Sequence, residues 1–239
     1  MPSSRKVRAI VISRKKIGEA DRLVTFFTKE DGLIKAVAKG VRKIPSSRGG
    51  HLEPFTSVHV LLHESRGGAY VGAVETEEYF LPLHRDDDAI SRVRRNAYAL
   101  LKLFEVKQPM PELFDAFLKS LQEFPKLTAG KRMLLESSLY LRMMRTSGLL
   151  PELRACAGCG KTRPADTVIL SPKEGSWRCL LCHPMVPVSS HSLSPRQFAL
   201  LKYIATKPHD AVRITAGEHE AIPIEKAVHL MVAHAMVQL

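Results

Sequence analysis

Along the first eighty residues the apolar positions recur with a period of two. Val7, Ala9 and Val11 alternate with Arg8, Ile10 and Ile12, which reads as a strand. Leu23 to Thr28 reads as a second strand, closed by Lys29-Glu30-Asp31-Gly32, whose Asp-Gly pair is a hairpin signal. Leu33 to Lys39 returns from that turn. Its alternation puts Ile34, Ala36 and Ala38 on one face and Lys35, Val37 and Lys39 on the other. Phe55 to His63 and Ala69 to Thr76 form another hairpin around Glu64-Ser65-Arg66-Gly67-Gly68. Five short strands in about eighty residues predict a small closed barrel. The OB-fold is the commonest such barrel that handles nucleic acid, and an SH3-like barrel is the competing topology.

From Asp86 the period lengthens to that of helices. Asp86-Asp87-Asp88 suits a helix N-terminus, and Ile90, Val93, Ala97, Leu100, Leu101 and Phe104 form one apolar stripe. Pro111 suits the first turn of the next helix, with Leu113, Phe114, Phe117, Leu118 and Leu121 inward. A third helix is predicted from about Ala129 to Ser147, with Gly148 as its C-cap. After an interruption, Ser194-Pro195 starts another helix, and Pro223 opens a last one. Neighbouring helices this short and apolar predict one bundle. The expected fold class is multidomain α+β: a five-stranded OB-fold barrel over 1–80, a helical bundle over 81–150 and 188–239, and a cysteine-bearing insert over 151–187.

That insert holds all four cysteines, as Cys156-x-x-Cys159 and Cys179-x-x-Cys182. A two-residue gap lets two thiolates converge on one cation, and two such knuckles complete a tetrahedral shell of four thiolates for one structural Zn²⁺. The competing assignment is two disulfides or four unrelated thiols. No apolar stretch approaches the ~20 residues of a membrane span, and no signal-like segment follows Met1, so a cytoplasmic, nucleoid-associated location with reduced thiols is expected.

The formal net charge of +12 changes the picture. Residues 1–50 hold 13 Lys or Arg and only four acids, so most of the excess belongs to the barrel end. The run Lys39-Gly40-Val41-Arg42-Lys43-Ile44-Pro45-Ser46-Ser47-Arg48-Gly49-Gly50 mixes cations with small residues that leave room for a phosphate chain. Arg14, Lys15, Lys16, Lys35, Lys39, Arg42, Lys43 and Arg48 are the expected DNA-binding residues, against the plainer alternative of a solvated basic loop. Only Phe26, Phe27, Phe55 and Tyr70 offer aromatic faces there, and one of the adjacent pair Phe26 and Phe27 is expected in the core. Backbone electrostatics should therefore dominate over base stacking, with weak sequence preference and steep salt dependence.

Enzymatic patterns fail. Gly160-Lys161-Thr162 lacks the glycine of a phosphate loop five residues earlier, where Ala155 stands. His59 and His63 lie about 13 Å apart on a strand, and His229 and His234 fall on different faces of a helix. His183 is a spare ligand beside Cys182, and Trp177 is expected to pack over the small module.

The ordered text of the chain resembles the bacterial RecO family of recombination mediators. Ile17-Gly18-Glu19-Ala20-Asp21-Arg22-Leu23, Phe27-Thr28-Lys29-Glu30-Asp31-Gly32 and Ala38-Lys39-Gly40-Val41-Arg42 carry that likeness. So do Leu52-Glu53-Pro54-Phe55 and Gly148-Leu149-Leu150-Pro151 ahead of Cys156. The resemblance implies a non-enzymatic protein that binds single- and double-stranded DNA and anneals complementary strands. With RecR, it helps RecA replace the single-strand-binding protein on single-stranded DNA. It also implies a contact with that protein's acidic C-terminal tail, for which Lys131, Arg132, Arg142 and Arg145 on the third helix are candidates. Lys35, Lys39 and Arg42 match the family's basic barrel positions, and some members lack the cysteines. The alternatives are a zinc-containing sequence-specific DNA-binding regulator and an adaptor whose basic end binds an acidic protein. Residues 160–178 show no recognition-helix pattern for the former.

Overall fold

The computed structural model describes residues 3–41, 50–182 and 191–238. The chain forms two compact units, one of Met1–Val93 with Phe104–Pro125 and one of Arg94–Leu103 with Lys126–Leu239.

In the first unit, β1 (Ser3–Ile17), β2 (Asp21–Thr28), β3 (Gly32–Ala38), β4 (Ser57–Ser65) and β5 (Gly68–Glu78) pair in the order β1-β2-β3-β5-β4 and close into a barrel. Closure depends on the length of β1, which runs well past the predicted segment. Its residues 3–10 pair antiparallel with β4 and its residues 9–17 with β2, with a register shift between Val11 and Ser13 that bends the strand from one partner to the other. β3 and β5 pair in parallel, with Ala36 opposite Ala69 and Val37 opposite Tyr70. This order is the OB-fold arrangement rather than the SH3-like one. Val7, Ala9, Val11, Val24, Phe26, Ile34, Ala36, Val58, Val60 and Leu62 fill the interior. Each of the Val, Leu, Ile and Phe side chains among them contributes on the order of 1.5–3 kcal/mol. The predicted β2–β3 turn is present: Gly32 takes φ +67°, and a Cβ there would stand 1.8 Å from the carbonyl oxygen of Gln108.

The barrel is followed by α1 (Leu81–His84), α2 (Asp87–Leu103) and α3 (Pro111–Glu123). Asp86 caps α2 by accepting a 2.9 Å hydrogen bond from the Ala89 amide. Both members of the Phe26–Phe27 pair are fully buried, against the expectation that one of them would be core. Phe26 points into the barrel. Phe27 points out of it and meets the rings of Phe114 and Phe117 on α3 edge-on, at centroid distances of 5.5 and 6.1 Å. Phe27→Ala is expected to destabilise this unit by about 3–5 kcal/mol, measured as a lower denaturant midpoint at unchanged slope.

In the second unit α4 (Ala129–Thr146) packs chiefly against α6 (Glu218–Gln238), with α5 (Pro195–Thr206) beside them. α4 ends as the sequence predicts. Gly148 takes φ +76°, its amide bonds the Arg145 carbonyl, and the Leu149 amide bonds the Met144 carbonyl, completing a Schellman motif. α5 opens with a capping box between Ser194 and Gln197. α6 starts at Glu218, so Pro223 lies inside the helix instead of opening it. The His219 carbonyl, which loses its helical donor to the proline, receives the Gln197 side-chain amide at 3.5 Å. A three-stranded sheet of order β7-β6-β8 completes the unit, from β6 (Val168–Ser171), β7 (Ser176–Cys179) and β8 (His191–Leu193).

Candidate nucleic-acid interface and metal cluster

The register of the barrel decides which cations share a surface. Lys15 lies opposite Leu23, Leu23 opposite Val37, and Val37 opposite Tyr70, so these residues occupy one face running across β1, β2, β3 and β5. Lys35, two residues before Val37, is on the same face. Lys39 joins it just beyond β3, its Nζ 4.4 Å from the centre of the Tyr70 ring. Ile34, Ala36 and Ala38 point inward, as the period of two predicts. Lys15, Lys35 and Lys39 are exposed. Gly40, at φ +65°, turns the chain after Lys39, and its amide donates to Asp21 Oδ1 at 2.7 Å.

The other predicted cations are placed differently. Arg14 belongs to the inward-facing set of β1, is half-buried, and pairs with Glu53. Lys16 shares that parity, opposite Arg22, and is exposed at the barrel end. Arg42, Lys43 and Arg48 lie outside the described residues. Phe55 is buried at φ +64° and Phe27 is covered by α3, which leaves Tyr70 as the aromatic on the basic face.

In the second unit the four cysteine sulfurs converge to within 4.8 Å of one another. Cys156 Sγ and Cys159 Sγ each lie 3.9 Å from Cys179 Sγ. Metal–sulfur bonds of about 2.3 Å in a tetrahedron place sulfurs about 3.8 Å apart, whereas a disulfide needs about 2.05 Å. The donor set therefore fits a single tetrahedral cation. Despite burial, which opposes ionisation, amides of the surrounding loop hold the Cys156 thiol down to about 6. Two of those amides, of Gly158 and Cys179, stand 3.4 Å from its sulfur. Hydrogen bonds to Cys179 and Cys159 push the Cys182 thiol up to about 12. A side chain at position 158 would put its Cβ 2.6 Å from that of Cys182, so the first knuckle closes only on glycine. Trp177 is fully buried, donates from Nε1 to the Leu153 carbonyl at 3.2 Å, and lies 4.8 Å from the Phe198 ring on α5. It does pack over the module, and it also fastens the module to a helix. His183 lies outside the described residues.

A second grouping was not visible in the sequence. Glu136 on α4 and Glu225 and His229 on α6 bring their ligand atoms within 4.8 Å of one another. Glu136 is fully buried, and Arg95 grips both its oxygens at 2.8 and 2.9 Å. His229 Nε2 and the Tyr140 hydroxyl approach Oε1 at 3.6 and 3.5 Å. Burial and the nearby carboxylate push the Tyr140 phenol upward. Arg95 already neutralises Glu136, so this is a buried ion-pair network first. The sole sequence signal was the four-residue spacing of Glu225 and His229.

Several cavities open on the same unit, and two of them carry arginines in their walls. One, of about 350 Å³, is lined by Tyr98, Tyr140, Val232 and Met236, with Arg94 and Arg95 also on its wall. The other, of about 740 Å³, has Leu150, Pro151, Leu153 and Ala205 in its lining and Arg145, Arg154, Arg163 and Lys202 around them. Of the cations predicted on α4, Arg142 is buried, and Arg132 is half-buried with its Nε on the Leu127 carbonyl. They do not form a solvent-facing rim.

The family Recombination protein O N terminal matches residues 1–80, and Recombination protein O C terminal matches residues 99–231. The chain is 28% identical over 228 residues to the DNA repair protein RecO of Rubrobacter xylanophilus, covering 95% of this chain and 91% of the relative. Its identity to the DNA repair protein RecO of Dehalococcoides mccartyi is 31% over 207 residues, 85% of this chain and 79% of that one. With that of Cutibacterium acnes it is 34% over 190 residues, 77% and 76% respectively. Barrel, helical unit and these matches define a mediator of DNA repair and recombination, a class that performs no catalysis. Within that class the chain belongs to the RecO family. Among the described residues no helix is long and apolar enough to cross a membrane.

Proposed function

We propose that the outer barrel face bearing Lys15, Lys35 and Lys39 binds single- and double-stranded DNA through its phosphates, and that the protein anneals complementary strands. The shared face set by the strand register carries this reading. Two phosphate backbones repel each other, and a cationic surface that holds one strand by its backbone leaves the bases free to pair. Lys16, Arg42, Lys43 and Arg48 add further cations for the phosphates in this reading, while Arg14 is held by Glu53. Working with RecR, the protein promotes RecA loading on single strands coated by the single-strand-binding protein. The acidic tail of that protein docks in the 350 Å³ apolar cavity, with Arg94 receiving its carboxylates. The four cysteines hold one structural Zn²⁺, whose role is to fold a segment too short to own a core.

Annealing of two complementary oligonucleotides, bare or coated with single-strand-binding protein, tests the reading. The full chain should accelerate annealing, and the acceleration should fall steeply between 50 and 200 mM salt, by about 10³-fold if some six phosphates are contacted. A salt-independent rate would refute backbone binding. Preference for one selected duplex over random strands would favour the sequence-specific regulator instead.

A further inference from the structure

Glu136, Glu225 and His229 bring two carboxylates and an imidazole together where α4 packs on α6, and they share no residue with the basic barrel face or the cysteine cluster. An ion pair accounts for only part of this arrangement. Arg95 holds Glu136 through its Nε and Nη2, at 2.8 and 2.9 Å. His229 Nε2 stands 3.6 Å from Oε1 of the same carboxylate, too far for a hydrogen bond. That nitrogen is buried and has no hydrogen-bond partner among the described residues. A buried polar atom left without a partner is costly, so its presence calls for something that binds there. The separation suits two ligands of one ion. Metal–nitrogen and metal–oxygen bonds of about 2.0–2.2 Å at a near-tetrahedral angle put the donor atoms about 3.3–3.6 Å apart. Glu225, one helical turn before His229 on α6, brings the third donor.

We infer that Glu136, Glu225 and His229 form a binding site for a divalent first-row transition-metal ion, distinct from the four-cysteine site. Two carboxylate oxygens and one imidazole nitrogen are a donor set for Zn²⁺, Co²⁺ or Mn²⁺. A carboxylate oxygen has two lone pairs, so Oε1 can keep its hydrogen bond from Arg95 and still bind an ion. Arg95 then fixes the orientation of the carboxylate from behind. Tyr140 does the same for the imidazole, its ring edge-on to that of His229 at 5.4 Å. Arg95, Tyr140 and His229 also line the 350 Å³ cavity, which gives an ion a way in from solvent and leaves room for water at its remaining positions. An ion held here ties α4 to α6, the principal helix pair of this unit, and so stabilises the folded unit by mass action.

The test titrates Co²⁺ into the full chain and follows it by absorption and by metal analysis. The wild type should bind one Co²⁺ per chain beyond any metal held by thiolates. That ion should show visible d–d bands without the thiolate-to-cobalt charge-transfer bands of a cysteine site. His229→Ala and Glu225→Gln should each weaken its binding by about 100-fold and leave thiolate-bound metal unchanged. Both side chains are partly exposed, so neither change should unfold the helices. Helical circular dichroism checks this, and His229→Gln serves if the alanine variant loses it. Co²⁺ should also raise the melting temperature of the wild-type helical unit while leaving those of the variants in place. Cobalt bound by thiolates alone overturns the site, and Glu136 is then only the partner of Arg95 and His229 in an ion-pair network. An oxygen- and nitrogen-bound Co²⁺ that either variant keeps at wild-type affinity overturns it as well, because the ion then lies elsewhere.

Discussion

If the cysteines hold the proposed zinc, replacing Cys179 with serine is expected to take the bound metal from one per chain to nearly none and to unfold the module around it. Cys179 Sγ lies 3.9 Å from those of Cys156 and Cys159, and its amide donates to the Cys156 sulfur. Structural zinc sites of this type contribute about 10–16 kcal/mol of binding free energy, far more than three short strands can supply. Trp177, the single tryptophan of the chain, reports the event directly. It is fully buried between Leu153 and Phe198, so its emission should shift to the red as trypsin begins to cut within 151–193. The barrel is a separate unit and should keep its melting transition. DNA binding through the lysines of β1 and β3 should persist, because they do not stand on the module. Native emission and protease resistance in a zinc-free variant would mean that the metal is not the staple.

The parts of this molecule legible in its sequence are those set by local pattern. Alternation assigned Ile34, Ala36 and Ala38 to the barrel interior, and the two knuckles named four sulfurs that do converge. Gly148 marked a helix end because only a left-handed residue closes a Schellman motif easily. What stayed hidden depends on chain segments distant in sequence. Period two says that Phe26 and Phe27 face opposite ways, but not that α3 returns to cover the outer ring. Arg14 looked available because its partner, Glu53, arrives only when the barrel closes. Counting charge by the first fifty residues also hid a basic stretch at 126–163, since the acids elsewhere in the remainder nearly cancel it.

Reversing Lys35 and Lys39 to glutamate should cut single-strand affinity by about 10–100-fold at physiological salt and reduce the slope of log affinity against log salt by about 2. The annealing rate should fall at least about tenfold. The loss follows from removing two phosphate contacts and placing two anions where the backbone passes. Little of it should come from unfolding: both lysines are exposed, no carboxylate among the described residues pairs with Lys35, and the Lys39–Tyr70 contact is worth about 0.5–1 kcal/mol at such a site. Arg14→Glu is a poorer probe, since it breaks the pair with Glu53 on a half-buried position and disturbs the barrel end as well. Lys35→Gln/Lys39→Gln separates the two contributions of the reversal. It should show the same change in slope, because the same two counterion-releasing contacts are gone, with a smaller loss of affinity because no repulsion is added. If the glutamine variant keeps the wild-type slope, the phosphates run elsewhere on the barrel. Lys16, Arg42, Lys43 and Arg48 are then the cations to reverse next.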